Sequence, residues 1–191
     1  MNPAVPAKTV PEFIAYAKLN PGKINYASPG NGTLQHVAGE LFKMTADVNM
    51  RHVPYRAGAV TDLIGGRVQF MIDVMISSIE YIKAGKLRGL AVTTKSRSEA
   101  LPDLPPVGDF VPGYDVSGWA GIGAPRNTPV EIIARLNKEI NSGLADEKMI
   151  ARFFALGMTP MPMTPADFGN FIAAETEKFG KVIRAANIRA E

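Results

Sequence analysis

Cysteine is absent from the 191 residues, which excludes disulfides, thiolate catalysis and cysteine-ligated metal. Histidine is nearly so. His36 and His52 stand apart, without a His-x-x-Glu-His or paired-histidine spacing, and the scattered carboxylates form no ligand cluster, so no metal site is expected. No apolar run approaches the roughly eighteen residues that span a bilayer. Neither a Gly-Lys-Ser/Thr loop nor a G-x-G-x-x-G fingerprint occurs, which disfavours nucleotides, and no cofactor is implied. The basic excess is small, 21 Lys and Arg against 18 Asp and Glu for a net charge of +3. Its one concentration, Lys83, Lys86, Arg88, Lys95 and Arg97, has no interleaved aromatics to stack bases. A solvated face is expected there, not a nucleic-acid surface.

What remains is a chain that is 46% hydrophobic and long enough for a sizeable core. Thr9-Val10-Pro11-Glu12 starts a helix, which Pro21-Gly22 ends. Lys23 to Ala27 alternates as a strand, and Leu34, Val37, Ala38, Leu41 and Phe42 form one helical stripe. Strands are expected at Asn49 to Pro54, Val68 to Asp73 and Leu87 to Thr93. Short helices fall between them, one ending at Gly65-Gly66 and one over 77–84. Strands alternating with helices imply an α/β fold, a mostly parallel sheet with helices on both faces. Residues 94–113 read as an extended surface segment, and Tyr114 to Ala124 as a glycine-bearing strand closely approached by another group. Thr128-Pro129 and Thr164-Pro165 repeat one helix-start device, and two long helices should follow. Phe168, Phe171, Ile172, Phe179, Val182 and Ile183 line one face of the last and need a covering surface.

Residues 28–36, Ser-Pro-Gly-Asn-Gly-Thr-Leu-Gln-His, join the first strand to the second helix. Two readings fit. One is ordinary helix entry with Thr33 as the N-cap. The other is an anion site, in which Gly30 and Gly32 let the chain aim helix-start amides at one point, with the Ser28 and Thr33 hydroxyls beside them. Ligands of open parallel sheets bind at strand C-termini, which places Ser28, Tyr55, Arg56 and Asp73 on the same rim.

An enzyme would recruit His36, beside the turn, or Asp73, at a strand end, as a general acid or base. Neither has the companions that catalysis needs, so no catalytic residue is assigned. His36 reads as a boundary residue or hydrogen-bond donor, and Asp73 as an acceptor for loop amides.

Gly22-Lys-Ile-Asn-Tyr-Ala-Ser-Pro-Gly-Asn-Gly-Thr-Leu-Gln-His36-Val-Ala-Gly-Glu-Leu-Phe42 is the most specific block. Val53-Pro-Tyr-Arg56, Asp62-Leu-Ile-Gly-Gly-Arg-Val68, Ile82-Lys-Ala-Gly-Lys-Leu-Arg88 and Ala124-Pro-Arg-Asn-Thr-Pro129 follow in order. Together they resemble the Bug (Bordetella uptake gene) family, the extracytoplasmic solute receptors of tripartite tricarboxylate transporters. The resemblance covers essentially the whole chain. It implies a type II periplasmic-binding-protein fold that binds and releases a small dicarboxylate, tricarboxylate, acidic amino acid or aromatic acid without chemistry. Ser28, Gly30, Asn31, Gly32, Thr33 and His36 would form the wall that meets the ligand carboxylate, with Tyr55 and Asp73 at neighbouring strand ends.

In that frame residues 1–113 correspond to the ligand-binding second lobe. Residues 114–191 would then be a crossing strand and helices that complete the first lobe or pack back on the sheet. Family members carry an N-terminal half-lobe before the position of Asn2, so the chain is expected to be truncated and to bind weakly. After Arg56 the stretch Ala-Gly-Ala-Val is shorter than is usual in the family, and Val-Met-Ile-Ser follows Asp73 where Asn and Pro are common. The resemblance implies the periplasm and the transporter's membrane subunits as partners, provided an export signal precedes these residues; a start at Met1 would leave the chain in the cytoplasm. The alternative is a self-associating domain of the same descent, a homodimer joined through the Phe168 to Ile183 face.

Overall fold

The computed structural model describes residues 1–189. Two compact units are present: Met1–Gly118 together with residue 181 onward, and Trp119–Gly180.

The first unit is built on a parallel sheet of three strands, β1 (Asn25–Ser28), β2 (Arg51–Pro54) and β3 (Phe70–Met71), in the order β2-β1-β3. Helix α1 (Val10–Leu19) precedes β1, α2 (Leu34–Ala46) joins β1 to β2, α3 (Ala59–Ile64) joins β2 to β3, and α4 (Met75–Lys83) follows. Parallel neighbours require such crossovers, so the alternation read from the sequence holds. The helix expected over 77–84 begins earlier, at Met75, because the Asp73 carboxylate turns the chain by accepting the Val74 amide.

Strand side chains alternate between two faces. Tyr26, Ser28, His52 and Phe70 share one face, since Tyr26 pairs with His52 on one side and Phe70 on the other. On that face Phe13 of α1 stacks on Phe70 at 4.7 Å between ring centroids, and Phe42 of α2 lies 5.7 Å from Phe70. The Tyr114 hydroxyl donates to Ala38 O at 3.0 Å, tying the later chain to α2. On the opposite face Ala27 is buried with Ala59, Leu63, Val68 and Leu87. Apolar cover on both faces is why β1 needs no polar, solvent-facing alternation.

Two expected strands are not realised among the described residues. Leu87 to Thr93 forms only an isolated parallel bridge, Val92 with Pro106. Its backbone is spread over several partners: the Arg88 amide donates to Met1 O, Val107 donates to Val92 O and Val116 donates to Thr93 O. Pro105 and Pro106 lack the N–H groups that a continuous ladder would use. Residues 114–124 likewise form no ladder.

The second unit contains α5 (Val130–Leu144), α6 (Glu147–Ala155) and most of α7 (Pro165–Ala185). Three helices thus stand where two were expected. The missed signal is Asp146, whose carboxylate caps α6 by accepting the Lys148 and Met149 amides at 3.1 and 3.0 Å. The repeated cap device works once. Thr164 accepts the Asp167 amide at 3.1 Å, but the Thr128 hydroxyl is spent on Pro125 O, so Pro129 itself opens α5 without a side-chain cap. The close approach expected near Gly121 is present without a strand, since a Cβ there would lie 2.2 Å from Phe168 Cζ. Phe168 and Phe171 pack edge-on against Trp119. Of the α7 stripe only Val182 is buried, while Ile172 and Ile183 stay 39% and 37% exposed, so the stripe is not one continuous buried seam. Among the described residues no helix is long and apolar enough to cross a membrane.

Helix α2 lies close enough to β1 that a Cβ at Gly39 would fall 2.3 Å from Tyr26 Cε2. The ring is fully buried and has nowhere to move. Gly39→Ala should therefore destabilise the fold by about 1–3 kcal/mol, the usual cost of overpacking, despite the better helix propensity of alanine. Urea unfolding followed by circular dichroism checks this; an unchanged or raised midpoint contradicts the packing described.

Candidate functional site

Ser28 ends β1 and is completely buried. Its Oγ donates to Gly30 O at 3.0 Å and accepts the Gly30 amide at 3.2 Å, so the chain folds back within two residues. Gly30 and Gly32 have φ of 148° and 73°, angles that side chains rarely tolerate. Thr33 closes the turn: its hydroxyl donates to Gly30 O at 2.8 Å and accepts the His36 amide at 3.4 Å. Both hydroxyls are therefore engaged in shaping the turn. Asn31, half-buried, and Gly32, exposed, form its outer edge.

A helix start leaves its first amides without intrahelical acceptors. Here Thr33 Oγ1 meets the amide of His36, while those of Leu34 and Gln35 have no acceptor among the described residues. No acidic residue occupies the first turn of α2. The positive end of a 13-residue helix is thus presented at the sheet's C-terminal rim with two donors available to an anion.

Beneath the turn lies a polar cluster that the sequence only half revealed. The Gly32 amide donates to His36 Nδ1 at 3.2 Å, which leaves the proton of the neutral ring on Nε2. His36 stacks on His52 at 3.7 Å between centroids and 8° between planes. His52 Nε2 lies 2.6 Å from Ser28 Oγ. Since the Ser28 hydroxyl hydrogen goes to Gly30 O, His52 is assigned as the donor to Ser28. Glu40 lies 4.0 Å from His36 Nε2, accepts the Tyr26 hydroxyl at 2.5 Å and pairs with Lys43 Nζ at 2.8 Å.

Burial sets the charge states. It lowers His36 below its ordinary value, with Glu40 acting against it and Lys43 with it. Burial, and then the neighbouring His36, push His52 down to about 4. Burial and the bond to Glu40 hold the Tyr26 phenol far above its usual range, so it remains a donor.

The other two expected site residues are held elsewhere on the rim. The Tyr55 amide donates to Ser28 O at 2.9 Å, which keeps its backbone beside the turn, but its hydroxyl donates to Asp62 Oδ2 at 3.0 Å. Asp62 in turn pairs with Arg67 at 2.9 Å. Asp73 accepts the Val74 amide at 2.9 Å and the Ser78 hydroxyl at 2.5 Å. Burial raises Asp73 above the usual carboxylate range, and those two hydrogen bonds oppose the rise. The structure therefore gathers Ser28, Gly30, Asn31, Gly32, Thr33 and His36 into one turn, while the side-chain polar groups of Tyr55 and Asp73 are bonded within their own segments. His52 and Glu40 were not foreseen as part of the site. The alternation of β2 put His52 on one face, but nothing in the sequence showed that this face meets Ser28.

The sequence profile described as "Tripartite tricarboxylate transporter family receptor" matches residues 1–188. Protein BugT of Bordetella pertussis is 33% identical over 186 residues, 96% of this chain and 57% of its own. Among solved structures, R. palustris Rpa4515 with adipate superposes with a TM-score of 0.86 at 34% identity, covering 98% of this chain and 64% of that one. MatC from Rhodopseudomonas palustris with bound malate gives 0.78 at 26% identity, covering 93% and 63%. The chain belongs to the Bug family of tripartite tricarboxylate transporter receptors. It spans little more than half the length of BugT.

Both imidazoles bind protons less readily in the folded state than in the unfolded chain, where histidine titrates near 6.5. The unfolded state thus binds more protons as pH falls below that value, and stability falls with it. The contribution of His52 should be complete above pH 6.5 and be lost between 6.5 and about 4, and that of His36 should be lost in the same direction below 6.5. Melting curves at pH 7.5 and 4.5 should show a smaller acid drop in His52→Phe than in the wild type. Equal drops would show that His52 is not held neutral by the fold.

Proposed function

We propose that this chain is the carboxylate-receiving portion of a periplasmic solute-binding receptor. It would take a small di- or tricarboxylate, acidic amino acid or aromatic acid at the glycine turn and act with the membrane subunits of a tripartite transporter. Residues 1–113 are read as the ligand-binding lobe and residues 114–191 as a crossing segment and helices that complete the other lobe or pack back on the sheet. The observation that carries this reading is the start of α2: two acceptor-free amides, Leu34 and Gln35, on a turn braced by Ser28 and Thr33. A carboxylate there makes charge-assisted hydrogen bonds, stronger than neutral ones, and complements the helix dipole. Gly30, Asn31, Gly32 and Thr33 shape the receiving surface and His36 anchors it from below. Tyr55 and Asp73 border it. The adipate and malate held by related proteins support a carboxylate as ligand. The self-associating alternative needs the whole α7 stripe open to a second copy, but Phe168 and Phe171 pack on Trp119 and Val182 is buried, which leaves only part of it, Ile172 and Ile183, exposed.

A thermal-shift screen with adipate, malate, tricarboxylates, aromatic acids and acidic amino acids tests the reading. Ligand at a hundredfold excess over Kd stabilises the native state by about 2.7 kcal/mol. Thr33→Ala and Thr164→Ala each remove a helix cap and should each cost about 1 kcal/mol without ligand. Only Thr33→Ala should also reduce the ligand-induced shift, because only that cap lies at the proposed site. A melt unmoved by every acid, or a shift equally retained in Thr33→Ala, contradicts the assignment.

A further inference from the structure

The turn from Pro29 to Thr33 is anchored at two points, and His52 serves both. At the first, Ser28 Oγ bonds both polar groups of Gly30, and His52 Nε2 reaches that same oxygen at 2.6 Å. At the second, the Gly32 amide donates to His36 Nδ1, and the His36 ring lies flat on His52 at 3.7 Å. His52 belongs to β2, whose backbone is fixed to β1 through the pairs Tyr26 with His52 and Ser28 with Pro54. One residue on a rigid neighbouring strand therefore braces both ends of a mobile type of segment, a turn carrying two glycines with positive φ. Resting on the carboxylate reading above, we propose that His52 is the positioning residue of the glycine turn, holding it in the form that presents the α2 amides to an anion.

The chemistry favours a side chain that does two jobs at once. An imidazole offers a donor at Nε2 and a flat face for stacking. Phenylalanine keeps the face and loses the donor, while glutamine keeps a donor near the Nε2 position and loses the face. The charged and titratable groups around the pair are Tyr26 on β1 and Glu40 and Lys43 on α2, and each is already engaged with another of the three. None of them replaces the Ser28 contact.

The test uses His52→Phe, His52→Gln and Ser28→Ala in the full chain, read by the amide cross-peaks of Gly30 and Gly32 in nitrogen–proton correlation spectra and by titration with adipate and malate. In His52→Phe, which keeps the stack, the Gly30 cross-peak should move far more than that of Gly32, and affinity should fall about tenfold, roughly the loss of one partly buried hydrogen bond, with a cooperative melt retained. His52→Gln should restore the Gly30 cross-peak, displace that of Gly32 and bring affinity to within about threefold of wild type. Ser28→Ala, which removes the same bond from the other side, should move Gly30 in the same way, and combining it with His52→Phe should add little further loss. Wild-type cross-peaks and affinity in His52→Phe would overturn the proposal, as would a His52→Gln variant whose Gly30 cross-peak is displaced as far as in His52→Phe. Should the wild type bind none of the acids, the carboxylate reading fails, and the cross-peaks alone still decide whether His52 positions the turn.

Discussion

The close approach of α2 to β1 is the constraint on which the rest of the glycine-turn edge of the sheet depends. Gly39 carries no Cβ, so the buried ring of Tyr26 lies against the helix backbone, and the phenol reaches Glu40 one residue on. A helix held at that distance brings His36, three residues before Gly39, directly over His52. It also leaves only a short turn between the end of β1 and the start of α2. Any larger residue at position 39 would lift the helix, and with it the stack, the Gly32 bond and the direction in which the α2 amides point.

This packing explains why polar groups are tolerated under the turn. A buried histidine or tyrosine without a partner would be costly. Here Ser28, His36, His52, Tyr26, Glu40 and Lys43 are linked by contacts of 2.5 to 4.0 Å, and no buried side-chain nitrogen or oxygen lacks a partner among the described residues. A satisfied polar cluster gives a defined geometry that purely apolar packing does not. The proposed anion-receiving surface is therefore stiffened from below while Gly32, at its upper edge, is exposed. Such preorganisation is what a binding turn needs, since a donor already aimed at its acceptor loses little freedom when the ligand arrives.

The local features were legible because they are written in contiguous residues. The strand–turn–helix unit at 25–46, the Thr33 cap, the two glycines and the parallel α/β class follow from periodicity and turn chemistry. Other features were not legible, for reasons that differ. The fourth strand failed because Leu87 to Thr93 has strand-like residues but faces prolines and scattered partners, and a strand exists only through its neighbours. The break between α5 and α6 was hidden by a continuous amphipathic pattern that only the Asp146 cap interrupts. The Thr128 hydroxyl had two acceptable uses, and the local turn took it.

By itself the sequence determined the fold class and the strand–turn–helix segment proposed to meet an anion, because each rests on short-range pattern: glycines where φ is positive, a hydroxyl at the helix start, apolar residues at strand and helix periods; the family was legible as a resemblance over ordered blocks of residues. Tertiary structure alone decided that His52 belongs with Ser28 and His36, that Tyr55 and Asp73 turn their polar groups to Asp62 and Ser78, and that Glu40 takes the phenol of Tyr26. The bonds of Tyr55 and Asp73 are local, 7 and 5 residues along the chain, whereas those of His52 and Tyr26 join separate elements 24 and 14 residues apart. The latter follow from strand register and from how closely a helix can approach a sheet, which become defined only once the sheet has formed.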